Sequence, residues 1–232
     1  MRKQILTFLL SACTVIAFAF ADSETRNLSD FNKVSISSGI NATLVKGSSN
    51  KVDIEADGIE LEKIKTEVDG NKLKVSIDQK WWSGGWGKKR KVNVVITFAD
   101  ELNQISASAG SRVSNEGTIS SSKLQLSASS GSNSSLNISA ESVSADVSSG
   151  ASLSVSGSAG SLDVDASSGS SFKGFELDSG DANVDASSGA SIQVNVSGDL
   201  DADVSSGASI KYKGSPKSKN IDKSSGGSVR AA

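Results

Sequence analysis

Trp81, Trp82 and Trp86 stand within six positions of one another and are all the tryptophan the chain contains. Lys80, Lys88, Lys89, Arg90 and Lys91 flank them, and Gly84, Gly85 and Gly87 argue for a loop between strands ending near Ile77 and starting near Val92. Indoles held on a loop offer a large contact area with few rotatable bonds and can stack on sugar rings or on a partner protein. The neighbouring cations would add attraction to an acidic glycan, screened by salt. Trp81, Trp82, Trp86, Lys88, Lys89 and Arg90 are therefore the candidate ligand-binding residues. The same indoles could instead fold onto adjacent strands as an apolar lid, each burying ~150–250 Å².

Carboxylates form the second candidate set. Asp146, Asp165, Asp185, Asp203 and Asp222 each precede a recurrent glycine by four positions, and Asp163 and Asp201 stand two residues earlier. If the repeats stack, these side chains line up at ~4.8 Å steps on one outer face. Like charges that close repel by ~1 kcal/mol or more per pair in water, and a hard cation with oxygen ligands would relieve the repulsion. A cation site would thus be built from Asp163, Asp165, Asp185, Asp201 and Asp203. The glycine-rich nonapeptide of calcium-binding β-rolls is absent, however. A solvated acidic face that keeps an exported protein soluble is the expectation carried forward, with neither metal nor cofactor.

Serine is the commonest residue, 50 in all and 40 of them after position 100, yet nucleophilic chemistry does not follow. Histidine is absent and no G-x-S-x-G elbow occurs, so a serine has no imidazole to activate it. Ser170-x-x-Lys173 and Ser120-x-x-Lys123 match S-x-x-K, as chance allows at this serine density. The serines read as turn residues in hydrogen-bonded ladders, and catalytic residues are expected to be none. A net charge of −2 gives no reason to expect nucleic acid as partner.

The elements that hold these residues repeat. Ser-Ser-Gly or Ser-Ala-Gly ends at Gly110, Gly131, Gly150, Gly169, Gly189, Gly207 and Gly226, spaced by 21, 19, 19, 20, 18 and 19 residues. Apolar residues alternate seven, five and three positions before Gly131, Gly150, Gly169, Gly189 and Gly207, as in Leu162/Val164/Ala166, and recur three positions after most of the glycines, as in Phe172 and Ile192. Period two marks strands with one face buried. A second turn is expected near Gly117, Gly157, Gly174, Gly198 or Gly214. Units this short bury their apolar edges only by stacking, which predicts a parallel β-helix with coils of about 19 residues. Such an interior is narrow, which accounts for an apolar fraction of only 36%. Lys219 and Lys223 replace apolar residues in the last unit, so 211–232 reads as a cap. Residues 30–105 alternate less regularly. Ser37-Ser38-Gly39 repeats the turn, and a hairpin at Asp69-Gly70-Asn71 would lengthen this first coil.

At the amino terminus Arg2 and Lys3 precede an apolar run from Ile5 to Phe20, and Ala19-Phe20-Ala21 offers a cleavage site. Residues 1–21 read as a signal peptide, 22–30 as a linker and 31–232 as one domain. Leu10-Ser11-Ala12-Cys13 resembles a lipobox, but lipidation at Cys13 would strand Thr14 to Phe20, still apolar, beyond the anchor. Cleavage after Ala21 leaves no cysteine and no transmembrane segment in the mature chain. The compartment is then periplasm, outer-membrane surface or exterior.

Phe31 to Gly47, with Ser37-Ser-Gly39-Ile40-Asn41 at its centre, resembles the opening of the "putative auto-transporter adhesin, head GIN domain" family. Val52-Asp-Ile-Glu-Ala56 with Leu73-Lys-Val-Ser-Ile77 resembles its second block, and Val92 to Ile105, running into Gly110, the block that begins its repeats. Ala99-Asp100 stands where the family usually has proline. The resemblance covers about residues 28–230. It implies an all-β, single-stranded right-handed parallel β-helix without catalytic residues, exported by Bacteroidetes-type bacteria and serving cell adhesion; the reading is a non-catalytic adhesin whose partner is a glycan or cell-surface protein. A polysaccharide-active enzyme of pectin-lyase-like type is the alternative.

Overall fold

A computed structural model describes residues 22–78 and 90–232. They form a β-solenoid of about seven turns with coils of roughly 19 residues. The regular part comprises β10 (Ile119–Ala128), β11 (Asn133–Val147), β12 (Ser152–Ala166) and β13 (Ser171–Ala186), then β14 (Ser191–Val196), β15 (Asp199–Val204), β16 (Ser209–Gly214), β17 (Ser218–Lys223) and β18 (Ser228–Ala231). Each lies parallel on the coil before it, so that Leu124, Val143, Leu162, Ala182 and Leu200 share one buried column. The strands entering the Ser-Ser-Gly turns make one side of the solenoid, the entry face, and those leaving make the other, the exit face.

The turn itself has one geometry throughout. The second serine and the glycine both take positive φ, 53° at Ser149 and 70° at Gly150, and the Ala151 amide donates to the Ser148 carbonyl at 3.1 Å. Two left-handed residues closed by that bond make a type I′ turn. From Gly39 to Gly207 each turn glycine's amide also donates to a turn carbonyl one coil on, as Gly150 to Ser168 at 3.1 Å, so the turns form a ladder of their own. Such a turn holds its two strand ends within ~7 Å, and in most coils small side chains sit between them, although Ile36 and Ile40 take those places at the first turn. Ala128 with Ser132, Ala166 with Ser170 and Ala186 with Ala190 fill that vertex, while Leu124, Leu136 and Leu162 pack farther in. The serines there are buried: Ser132 and Ser170 donate to the carbonyls of Ala107 and Val147, one coil back.

The second corner was expected near Gly174 in the β13 coil and lies instead around Gly180, because Gly174 is buried within β13. A Cβ at Gly174 would lie 2.6 Å from Cε1 of Phe172, whose ring fills the interior beneath it. Gly174 and Phe175 together oppose Val155, a β-bulge that makes this coil one residue longer.

The amino-terminal end stacks out of sequence order. β2 (Lys33–Ile36) and β3 (Asn41–Lys46) form a coil directly against β8 (Gln104–Ala107) and β9 (Arg112–Asn115). The excursion between them adds β4 (Lys51–Asp57), a 3-10 turn (Leu61–Lys63), β5 (Ile64–Asp69), β6 (Lys72–Ile77) and β7 (Lys91–Phe98). β6 and β7 lie parallel beneath β2 and β3 as one further coil. β5 then closes β6 antiparallel through the expected hairpin, and β4 closes β7. Asp22–Asn27, within the segment read as a linker, is β1 and pairs antiparallel with β4. At the opposite end Lys219 and Lys223 stand in register with Leu200 and Val204 and are exposed.

Candidate functional site

Each outward position of the coil becomes a column, and the columns carry the charge. On the entry face Asp146, Asp165, Asp185, Asp203 and Asp222 are in direct register, one per coil. Asp185 is half-buried and the other four are exposed. They flank a groove of about 830 Å³ whose other wall includes the first turn serines, such as Ser167, Ser187 and Ser205. Burial, then the charges of Asp163 and Asp146, push the Asp165 carboxyl up from its ordinary value. Asp185 is pushed up likewise by burial and then by Asp165, Asp203, Asp163 and Asp201.

The adjacent column is built differently. It runs Ser144, Asp163, Asn183, Asp201, Asn220, so carboxylate and amide alternate. Asn183 Nδ2 donates to Asp163 at 3.2 Å and Asn220 Nδ2 to Asp201 at 3.1 Å, replacing repulsion with hydrogen bonds. The structure thus brings Asp163, Asp165, Asp185, Asp201 and Asp203 onto one face, in two parallel lines. Among the described residues no three carboxylates converge on a point that a cation could occupy.

The exit face was not anticipated as a charged surface. Ser152, Ser171, Ser191, Ser209 and Ser228 form one outward column, and Ser154, Lys173, Gln193, Lys211 and Arg230 form the next. At the bulge the half-buried Phe175 turns outward against a shallow groove shared with Lys173 and Gln193. Lys213 Nζ sits 5.8 Å from its ring centroid and 3.6 Å from Glu176. The exit-face pattern stands in the sequence as Lys173, Lys211 and Arg230 four residues after Gly169, Gly207 and Gly226, a signal broken by Gln193 after Gly189.

Trp81, Trp82, Trp86, Lys88 and Lys89 lie outside the described residues, whereas Arg90 is half-buried just before β7. The strands that bracket residues 79–89 are placed, however. Val75 pairs with Ile36 and Asn93 with Asn41, the residues on either side of the Ser37-Ser38-Gly39 turn in the next coil.

A family profile described as "Putative auto-transporter adhesin, head GIN domain" matches residues 30–216. Among solved structures the chain is similar to a "putative adhesin" from Bacteroides fragilis, with 20% identity, a TM-score of 0.84, and 93% of this chain and 98% of that one covered. A "putative adhesin" from Parabacteroides distasonis is 19% identical, with a TM-score of 0.69 over 91% and 96% of the two chains. A "putative lipid binding protein" from the same species is 16% identical, with a TM-score of 0.70 over 92% and 97%. At these identities the likeness is one of fold. No curated protein matches the chain. Among the described residues no helix is long and apolar enough to cross a membrane.

Proposed function

The chain belongs to the family described as "Putative auto-transporter adhesin, head GIN domain", and from that premise we propose that it is an exported, non-catalytic adhesin. Its solenoid acts as a rigid support, and the work of binding falls to outward columns and to the tryptophan-rich connection between β6 and β7. The observation that carries this reading is the division of each coil. Inward positions are closed by packed Val, Leu, Ala and Ser, while the charged columns all face solvent along shallow grooves. A surface of that kind presents contacts over a length rather than enclosing one small molecule.

Trp81, Trp82 and Trp86 are the proposed anchors, with Lys88, Lys89 and Arg90 steering an acidic glycan or cell-surface protein toward them. The purified protein is screened on a panel of polysaccharides and surface proteins for binding and, in parallel, for release of reducing ends. Saturable binding without new reducing ends is expected. Replacing the three tryptophans with alanine abolishes that binding and leaves the β-sheet circular dichroism unchanged. Release of reducing ends that disappears on Asp165→Asn or Asp185→Asn would contradict the reading in favour of an enzyme.

A further inference from the structure

We propose that copies of this protein associate side by side and in the same direction, the acidic entry face of one against the basic exit face of the next. The inference concerns a partner of the protein's own kind and stands apart from the ligand reading above. It rests on the registers. The coils that stack Asp165, Asp185 and Asp203 on one outer face carry Lys173, Lys211 and Arg230 on the other. Both series advance with the coil: the aspartates recur at every ~4.8 Å step, while the cations skip the coil of Gln193, and translation of one copy beside another sets the two series opposite each other.

Shape and local charge agree with this pairing. The groove beside the aspartate column is about 830 Å³ and open along its length, room for the long side chains of Lys173, Lys211 and Arg230. On the turn side of those cations the exit face presents a column of serines, which leaves room for a neighbouring sheet, while on the other side Glu176 is already held by Lys213. The carboxyls at Asp165 and Asp185 crowd one another within their own column and are relieved when cations face them. The opposite end is mixed in sign, with Lys33 and Lys72 on the entry side, and Asp53 and Glu55 sharing the exit side with Lys51, Lys91 and Arg112. There Lys51 neutralises Asp53, so that end adds less.

Direction follows from the same comparison. A two-fold pairing of entry face on entry face would set the aspartates against Lys33 and Lys72, where Lys74 is already paired with Asp69. Translation sets them against the cation column instead. Such an interface is heterologous and does not close, so it builds rows rather than dimers. About seven coils of six-residue strands present a face of ~30 Å by ~20 Å, or ~600 Å² per partner. That is the low end for a specific contact, so the rows are weak, favoured by crowding on a surface and sensitive to salt.

Sedimentation velocity on the protein purified from an exporting host, from ~1 µM to ~1 mM, tests this directly. The weight-average sedimentation coefficient should climb with concentration at ~20 mM salt and climb far less at ~500 mM, where the screening length falls to ~4 Å. Reversing the entry face (Asp165→Lys, Asp185→Lys, Asp203→Lys) or the exit face (Lys173→Glu, Lys211→Glu, Arg230→Glu) should each weaken association at least ~10-fold. Mixing the two reversed proteins should restore it, because each then offers the face the other needs. All six positions point outward, and circular dichroism of each variant checks that the fold is kept. A protein that stays monomeric across the range at low salt overturns the proposal. So does growth that stops at a dimer, or association that needs added Ca²⁺ and ignores reversal of the exit face.

Discussion

Between Phe31 and Leu102 the interior is filled by large side chains such as Ile54, Ile64, Leu73, Ile96 and Phe98, whereas the coils from Ile119 onward rely on Val, Ala and Ser with scattered Leu and Ile. The edges differ as well. The ion pairs Arg26–Glu24, Lys51–Asp53, Lys63–Glu60 and Lys74–Asp69 lie in the amino-terminal part, and antiparallel β1, β4 and β5 finish its sheet. Where each coil can stack on an identical neighbour, backbone ladders and repeated turns suffice and the core can be thin. Where the stack has to stop, the chain needs bulky apolar packing and long charged side chains to cover the end.

The largest effect that would sharpen this contrast lies at a corner of the regular coils. A Cβ at Gly180 would collide with the backbone carbonyl of Gly160 in the coil before it. Gly180→Ala should therefore cost roughly 2–4 kcal/mol in urea unfolding, since two backbones must part. Gly70→Ala in the amino-terminal hairpin, where a Cβ meets nothing within 4 Å, should cost only the ~1–2 kcal/mol of a left-handed residue. Equal losses would show that coil spacing is not what the corner glycines protect.

Arg26 is the matching test at the other end. Its guanidinium donates to the carbonyls of Ile64 at 2.6 Å and Leu61 at 2.9 Å and to Thr66 Oγ1 at 3.1 Å, and it pairs with Glu24. It thereby pins β1 over the 3-10 turn and β5. Arg26→Ala should destabilise by about 1.5–3 kcal/mol, and Arg26→Lys should recover only part because an ammonium lacks the planar fork. Hydrogen exchange should show the loss confined to β1, β4 and β5. A loss spread evenly through the coils would erase the distinction between the regions.

Smaller effects run the other way. Type I′ turns favour Asn-Gly, yet here the first left-handed position is serine in all but one turn. Ser149→Asn should raise stability by about 0.5–1 kcal/mol in thermal melts. Smallest is the response to pH, and its sign differs between the regions. The folded coils hold protons on Asp165 and Asp185 more tightly than the unfolded chain does, so they gain stability as pH falls into the carboxylate range. Hydrogen bonds to Lys51 and Thr25 lower Asp53, a hydrogen bond to Lys74 lowers Asp69, and bonds from Ser122 and Ser121 lower Glu101, so the amino-terminal part loses stability at still lower pH. Asp185→Asn should raise the melting temperature by about 1 °C at neutral pH and remove that local gain. Exchange protection that falls together in both regions between neutral pH and pH ~4 would break the comparison.

Period, turn and inward columns were legible because one short unit is repeated. Val164, Leu162 and Ala166 repeat the spacing of Val184, Ala182 and Ala186, and each repetition corroborates the others. The acidic register was legible for the same reason. Gly174 misled because a lone glycine reads as a turn, and only the ring of Phe172 beneath it explains a bulge. The out-of-order stacking at the amino terminus was hidden, since nothing local tells β6 to lie under β2 rather than over it. That choice is set by which edges remain unpaired once the whole solenoid has formed. The exit-face cations were likewise invisible one at a time and emerge only when Lys173, Lys211 and Arg230 fall into line.

Val184 and Asp185 are consecutive residues assigned to opposite sides of the same strand, so they test the division of inward fold from outward surface most directly. Unfolding free energies of Val184→Asp and Asp185→Lys are measured in urea beside the parent protein. Val184, fully buried, should lose at least ~3 kcal/mol or fail to fold, because a carboxylate would be trapped between coils without a partner. Asp185→Lys should stay within ~1 kcal/mol of the parent. Equal losses at the two positions would contradict the account.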